Sequence, residues 1–423
     1  MKWDVTSNSD TMLTFFLKNN CMPHISSENS SPFLSALYED ILDAHTWVES
    51  QKNEKGGQFY NLTMSKIKAE VDVPMPNYIP TGKYIGPNIF SHIKKSSVFK
   101  SNYVVDVLGK KITIHMVFEK KELSKKCNEP NIKHINAHID KMIMWFYIAN
   151  KYTTKTCAPA LDVFIYLSSL EKKIPDLDLE VISAVHVNTG VTAACPTSSG
   201  EIVVYRHEEW FKVFIHESIH ALGLDFASMP VDKSQEKLRD TFHIPTPILL
   251  YEAYTEFWAR VMNVLIFSFN LNKEEFEKYA IFMLDYERVN SFFQMVKVLQ
   301  HMDLEYEDLY NDKTLLTRYR ENTNVFVYYV ITTILLSNYP MFMKWCSDHN
   351  DKLLQFNNTE EAQLLFCTYI QTHYNAENMV GCVIKAKRLL IKTMANSQKY
   401  PNNKKIKTIM ETLKMSLHES CTI

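Results

Sequence analysis

The chain has 423 residues, 46% of them hydrophobic and 12% aromatic, enough apolar surface for a large core and too much for a disordered protein. Its formal net charge of −2 excludes a general attraction to nucleic acid or to an anionic membrane. Only 9 glycines are present, which argues for much helix and few tight turns.

The start, MKWDVTSNSD, is polar and lacks the basic-then-apolar profile of a secretory signal, so the Asn61-Leu62-Thr63 sequon is read as carrying no glycan. The eight cysteines (Cys21, Cys127, Cys157, Cys195, Cys346, Cys367, Cys382 and Cys421) are scattered, with no C-x-x-C pair. That usage is expected of reduced thiols in a cytosolic protein. The longest apolar run, Val325 to Leu336, is too short for a bilayer and reads as a buried helix. A soluble, cytoplasmic protein is the expectation.

Residues 1–98 read as an accessory region. Leu34, Leu37, Ile41, Ala44 and Val48 recur at helical spacing within Pro32–Gln51, and prolines between Val71 and Asn88 impose an extended connector. From Asn102, NYVVDV and ITIHMVF alternate as two strands around a tight turn at Gly109. His115, on the second strand, is read as structural. The charged run Glu119–Lys126 is read as a solvated loop or helix end. Asn131–Tyr152 is an amphipathic helix on Ile135, Ile139, Ile143 and Phe146. Its His134 and His138 are four apart, but they lack a glutamate partner and lie near Lys133 and Lys141, so a polar helix face is expected.

Three apolar strands are expected next, at Leu161–Leu167, Glu180–Val187 and Glu201–Arg206, with a turn-rich loop NTGVTAACPTSSG between the last two. The order suggests a small sheet whose last strand feeds the following helix. An edge strand would then lie beside that helix, where an extended peptide can add by main-chain pairing.

That helix carries FKVFIHESIHALG, Phe211 to Gly223. Acidic residues Glu208 and Glu209 suit its first turn and Gly223 its C-terminal cap. Trp210, Val213, Phe214, Ile215, Ile219 and Leu222 cover most of its circumference, which buries it. Inside stands H-E-x-x-H: His216, Glu217 and His220. Residues four apart share a helix face, so both imidazoles can reach one ion while Glu217 sits beside it as a base. A lone histidine on an apolar helix is more often a satisfied core residue. Three ionisable groups in one buried turn, however, demand a partner.

Asp225–Pro245 reads as a polar loop. Thr246-Pro247 then opens a second apolar helix containing Glu252 and Glu256, again four apart. Zinc accepts carboxylate oxygen, so His216, His220 and Glu252 with one water would complete a four-coordinate catalytic site. Glu256 could accept the remaining N–H of a ligating imidazole. Beyond Asn270 the pattern is helical throughout, with helices expected at 273–286, 289–302, 306–321, 325–336, 360–374, 379–395 and 404–417. The expected fold is α+β: a small mixed sheet packed on the H-E-x-x-H helix, then a mainly α-helical C-terminal lobe. The parts are 1–98, a core at 99–270 and a helical lobe at 271–423.

HESIH at 216–220 and EAYTE at 252–256 resemble the gluzincin class of zinc metallopeptidases, which carry H-E-x-x-H on one helix and E-A-x-x-[DE] on a following one. The resemblance implies that His216, His220 and Glu252 bind Zn2+, that Glu217 is the general base and that Glu256 supports a ligand. The interval between His220 and Glu252, residues 221–251, is longer than in compact members. No motif matches the family's transition-state donor, a Tyr or His beyond the glutamate; Tyr328, Tyr329 and His301 are the residues available. The run EIVVYRHEEWFKVFIHESIHALGLDF also looks like segments of uncharacterised proteins of large cytoplasmic DNA viruses, which implies a viral factory or virion as the location.

The function expected is hydrolysis of peptide bonds in a peptide or protein substrate by a Glu-activated, zinc-bound water, with no nucleic-acid or membrane partner. The alternative is a catalytically silent fold that serves as a structural or assembly protein, its 22 Tyr and 24 Phe used for partner contacts. The retained Glu217 discriminates, because a structural zinc site needs no base.

Overall fold

Among the described residues, six strands form one mixed sheet against which the H-E-x-x-H helix packs. The computed structural model describes residues 5–19, 21, 31–57, 59–79, 85–120, 130–176 and 180–419. The strands are β1 (Asn61–Lys66), β2 (Ser97–Val107), β3 (Lys110–Glu119), β4 (Ala160–Leu167), β5 (Gly190–Thr192) and β6 (Gly200–Val204), in the spatial order β1-β2-β3-β4-β6-β5. β2 and β3 form the expected hairpin about Leu108-Gly109, both at positive φ as a two-residue turn requires. The β3–β4 and β4–β6 pairs are parallel, and the remaining neighbours are antiparallel. Every residue of β6 is buried, as befits a strand covered on both faces.

The helices are α1 (Ser7–Lys18), α2 (Ser31–Glu54), α3 (Pro87–Ser96), α4 (Ile132–Tyr152), α5 (Trp210–Ala221), α6 (Asp232–Arg239), α7 (Leu250–Leu271) and α8 (Phe276–His301). A π-helical turn at Phe326–Ile331 leads into α9 (Thr332–Ser337), followed by α10 (Tyr339–His349), α11 (Glu360–His373), α12 (Glu377–Lys399) and α13 (Lys404–Glu411). The chain is 57% helical, and the α+β class with a helical C-terminal region is the fold it adopts. α7 is apolar nearly all round and packs against α5, α8 and α2, which makes it the central helix. One apolar core runs from Met12 in α1 to Leu417 near the other end of the chain.

Several elements differ from expectation for physical reasons. Glu180–Val187 is no strand: Ala184–Val187 make a single helical turn, with Val181 and Val185 exposed. Its buried Ile182 and Val187 pack on Val298, Val325 and Leu413 instead of entering the sheet. The loop expected at 225–245 contains α6, whose Ser234 and Leu238 are buried. The two helices expected at 273–286 and 289–302 are one, α8. The helix expected at 306–321 breaks into two four-residue turns, Asp308–Asn311 and Leu315–Arg318. Past α13, residues 412–418 continue as a buried strap instead of helix.

Cys157 and Cys195 form a disulfide, contrary to the reading of all cysteines as reduced thiols. The segment before β4 and the loop between β5 and β6 lie side by side, with Ala158 N donating to Pro196 O at 2.7 Å, and this brings together cysteines that are 38 residues apart. Cys21, Cys346, Cys367 and Cys382 are free thiols. Cys127, Cys421 and the charged run from residue 121 onward lie outside the described residues. No single helix among the described residues is long and apolar enough to cross a membrane.

Candidate metal centre

The end of α5 sets the site. Gly223 takes φ +66°, donating to His220 O at 3.1 Å, while Leu224 N donates to Ile219 O at 3.0 Å. This paired 5→2 and 6→1 pattern satisfies the last carbonyls of the helix and turns the chain sharply back. The reversal brings Asp225 beneath His220.

His216 and His220 project from one face of α5 toward Glu252 in the first turn of α7. The His216 and His220 Nε2 atoms are 3.2 Å apart. Glu252 Oε2 lies 3.3 Å from the first and 3.5 Å from the second. Among the described residues these three side chains are the one group of His, Cys, Asp or Glu residues whose ligand atoms converge in this way, and they could hold a metal ion.

The outer ring nitrogens explain why Nε2 faces inward. His216 Nδ1 lies 3.1 Å from Glu256 Oε2, and His220 Nδ1 is hydrogen-bonded to Asp225 Oδ2. A carboxylate at Nδ1 holds the proton there and leaves the Nε2 lone pair for an ion. Asp225 is fixed in turn by the Thr255 hydroxyl, at 3.3 Å, and by Ala227 N. Glu256 accepts from Lys212 Nζ at 2.9 and 3.0 Å and from Arg260 Nε at 2.9 Å. All three residues are buried. Lys212, His216 and His220 form one ladder at four-residue spacing on α5, and Glu252, Glu256 and Arg260 form the facing ladder on α7.

Proton affinities follow this layout. Burial opposes ionisation of Glu256, but Lys212, His216 and Arg260 together hold its carboxyl well below the usual range. Burial likewise opposes charge on both imidazoles, yet Glu252 and Glu256 raise His216, and Asp225 and Glu252 raise His220 further. Burial also works against the Glu252 carboxylate, and the two histidines outweigh it and lower its pKa.

Glu217 differs from its neighbours. Burial raises its pKa, the histidines only partly offset this, and no hydrogen bond reaches its carboxylate among the described residues. It lies against β5: a Cβ built on Gly190 would fall 2.8 Å from Glu217 Oε1 and 2.7 Å from Val213 Cγ1. Only glycine fits there, and its absent side chain gives the carboxylate its place. β5 is also the last strand of the sheet, so the edge expected beside this helix is present.

No known protein family, curated protein or solved structure matches this chain.

The three residues named as donors separate cleanly. Tyr328, on the π-helical turn, donates its hydroxyl to Glu252 Oε2 at 2.9 Å and shares a small hollow with His216, Glu217 and Gly190. Tyr329 points elsewhere, donating to Leu413 O at 2.7 Å. His301 is away from the cluster, with Nε2 2.9 Å from Glu180 O. His115 stacks on Phe164 at 4.6 Å, and His138 packs edge-on to Trp210 at 5.3 Å, both as structural residues. Sequence reasoning missed Asp225, Lys212 and Arg260. The last two continue the same four-residue spacing that marked the candidate ligands, so the signal was present.

Proposed function

We propose that this protein is a zinc-dependent peptidase. One observation carries the reading: the inward triangle of two imidazole nitrogens and one carboxylate oxygen, with sides of 3.2, 3.3 and 3.5 Å. Tetrahedral zinc with N and O ligands at about 2.05 Å separates them by about 3.3 Å. Calcium or magnesium would favour oxygen ligands throughout, whereas two imidazole nitrogens and a carboxylate suit zinc or a similar transition-metal ion. Three protein ligands leave one position open, as a catalytic site needs.

Bound there, zinc would lower the pKa of a coordinated water and polarise a scissile carbonyl. Glu217 is the base: its carboxylate has no competing donor among the described residues and a raised pKa, so it can take the water's proton and deliver it to the leaving amine. Tyr328 stands where its hydroxyl can donate to oxygen charge developing on the carbonyl. β5 offers main-chain groups for pairing an extended substrate beside Glu217. A peptide or protein substrate is therefore the class we assign. The test is Glu217→Gln assayed on a peptide library: zinc stays bound while turnover falls roughly 10²–10⁴-fold. A glutamine variant as fast as wild type would contradict the role.

A second reading has its own support. The hollow beside Glu217 is only about 40 Å3, enough for one or two waters and too small for a peptide side chain. In that reading zinc clamps α5 to α7 in a silent structural or assembly protein. Stoichiometric zinc without turnover of any library peptide would favour it.

A further inference from the structure

The disulfide lies directly against the metal centre. Cys157 stands between α4 and β4, and Cys195 in the loop between β5 and β6. Both sulfurs pack on the turn that ends α5: a Cβ built on Gly223 would fall 2.7 Å from Cys157 Sγ and 3.2 Å from Cys195 Sγ. Cys195 N donates to His220 O at 2.9 Å. From the other partner's segment, Thr153 Oγ1 donates to Leu222 O at 3.0 Å and Lys155 Nζ to Asp225 O at 3.3 Å. The cross-link thus joins two segments that together grip the turn between His220 and Asp225.

It also anchors β5. That strand spans Gly190–Thr192 and pairs only with β6 among the described residues. So short a strand needs its ends fixed, and the disulfide fastens the chain just beyond Thr192. Gly190, against which the Glu217 carboxylate rests, is in the same strand.

A disulfide framework is typical of small domains that lack a sufficient core, whereas here one apolar core runs along most of the chain. Cys21, Cys346, Cys367 and Cys382 stay free thiols. Cys195 at φ +42° and Ala158, next to Cys157, at φ +45° are both in the left-handed region, which disfavours residues other than glycine. Opening the bond lets both relax. Cys157 is only 2% exposed, but Cys195 is half-buried, so an incoming thiolate reaches Cys195 Sγ.

We propose that Cys157–Cys195 is a redox switch on the metal centre, opened by a dithiol and closed again by a small disulfide. One thiolate of the dithiol attacks Cys195 Sγ, and the Cys157 sulfur leaves as a thiolate and takes up a proton. The second dithiol sulfur attacks the mixed disulfide, releasing Cys195 as a thiol and leaving the dithiol oxidised. Two electrons and two protons pass to the chain, and a small disulfide takes them back by the reverse exchange. In the open form the α5 turn and β5 loosen, so Asp225 no longer fixes the His220 ring and Gly190 no longer fixes Glu217. Weaker zinc binding follows only if the centre holds zinc as proposed above; the loosening itself does not depend on a metal.

Hydrogen exchange of the metal-free full chain tests the loosening, before and after reduction by millimolar dithiothreitol that is then removed under nitrogen. Amides in 190–195 and 220–226 exchange at least tenfold faster once reduced, those of α8 keep their rates, and oxidised glutathione restores the first set. Chelator competition on the same samples shows zinc bound roughly tenfold more weakly after reduction. The double variant Cys157→Ala, Cys195→Ala holds that weaker affinity under both conditions, which excludes the freed thiols as zinc ligands. The proposal is overturned if dithiothreitol leaves the bond intact in the folded chain, or if exchange is the same in both forms. Equal acceleration in α8 overturns it too, as does equal zinc affinity in a chain that binds zinc. If oxidised wild type binds no zinc, the peptidase reading fails and the exchange rates alone decide the switch.

Discussion

At the residue scale, the centre is two facing ladders in which every buried charge has an answer except Glu217. Asp225 holds the His220 ring through Nδ1, so Asp225→Asn should weaken zinc roughly 10–100-fold with the fold intact. Competition with a chromophoric chelator measures this, and unchanged affinity would remove Asp225 from the site. Glu256 is different because Lys212 and Arg260 both rest on it. Glu256→Gln leaves two buried cations short of a counter-charge and should cost about 3–5 kcal/mol in urea unfolding. Gly190→Ala puts a methyl group into Glu217. It should cut turnover while zinc content holds, and equal kinetics would show that the Glu217 position does not matter. His216, Glu217, His220, Glu252 and Glu256 were all legible from spacing. Asp225 was not, because it follows a glycine turn in what read as loop. Tyr328 and Tyr329 could not be separated in sequence, because adjacent helical residues point about 100° apart and nothing local says which one faces the ligands.

At the element scale, the turn after α5 links backbone to chemistry. Gly223→Ala meets φ +66° and a Cβ only 2.7 Å from Cys157 Sγ. The left-handed backbone alone costs about 1–2 kcal/mol. The variant should lose at least that in stability and also bind zinc more weakly, because Asp225 hangs from the same turn. Stability and zinc affinity both at wild-type values would break that link. The elements that spacing revealed are those with a long, clear period: α2, α4, α5, α7 and the β2–β3 hairpin. β1 and β5 escaped notice because one is largely exposed and polar and the other spans three residues. The apolar alternation of 180–187 misled because its buried residues face the helical lobe, not the sheet. Segment 306–321 has helical spacing yet is cut into single turns, and the disulfide lay beyond reach because only the fold juxtaposes its cysteines.

At the scale of the whole molecule, the C-terminal strap ties the helical region to α5 and α8. Glu287 of α8 accepts from Ser416 Oγ and Leu417 N, both at 2.7 Å, and Glu209 before α5 accepts from Ser416 N at 2.5 Å. Lys297 Nζ donates to Ile409 O at 3.0 Å and to Thr412 O. Burial pushes the Lys297 pKa down from 10.5 to about 7. Between those values the unfolded chain holds a proton that the folded chain has released, so this residue makes stability rise with pH from about 7 to about 10.5. Lys297→Met should flatten that part of the profile, read as the urea midpoint at pH 7 and 9.5. Identical slopes in the two proteins would contradict the assignment.

Zinc bound only by the folded chain should also stabilise it, by about 2.7 kcal/mol at a free concentration 100 times Kd. The central claim is that two facing helices hold one zinc ion through His216, His220 and Glu252. Elemental analysis of the purified chain tests it most directly, beside His216→Ala. The account predicts one zinc per wild-type chain and its loss in the variant. No stoichiometric zinc in wild type, or equal zinc in both, would contradict it.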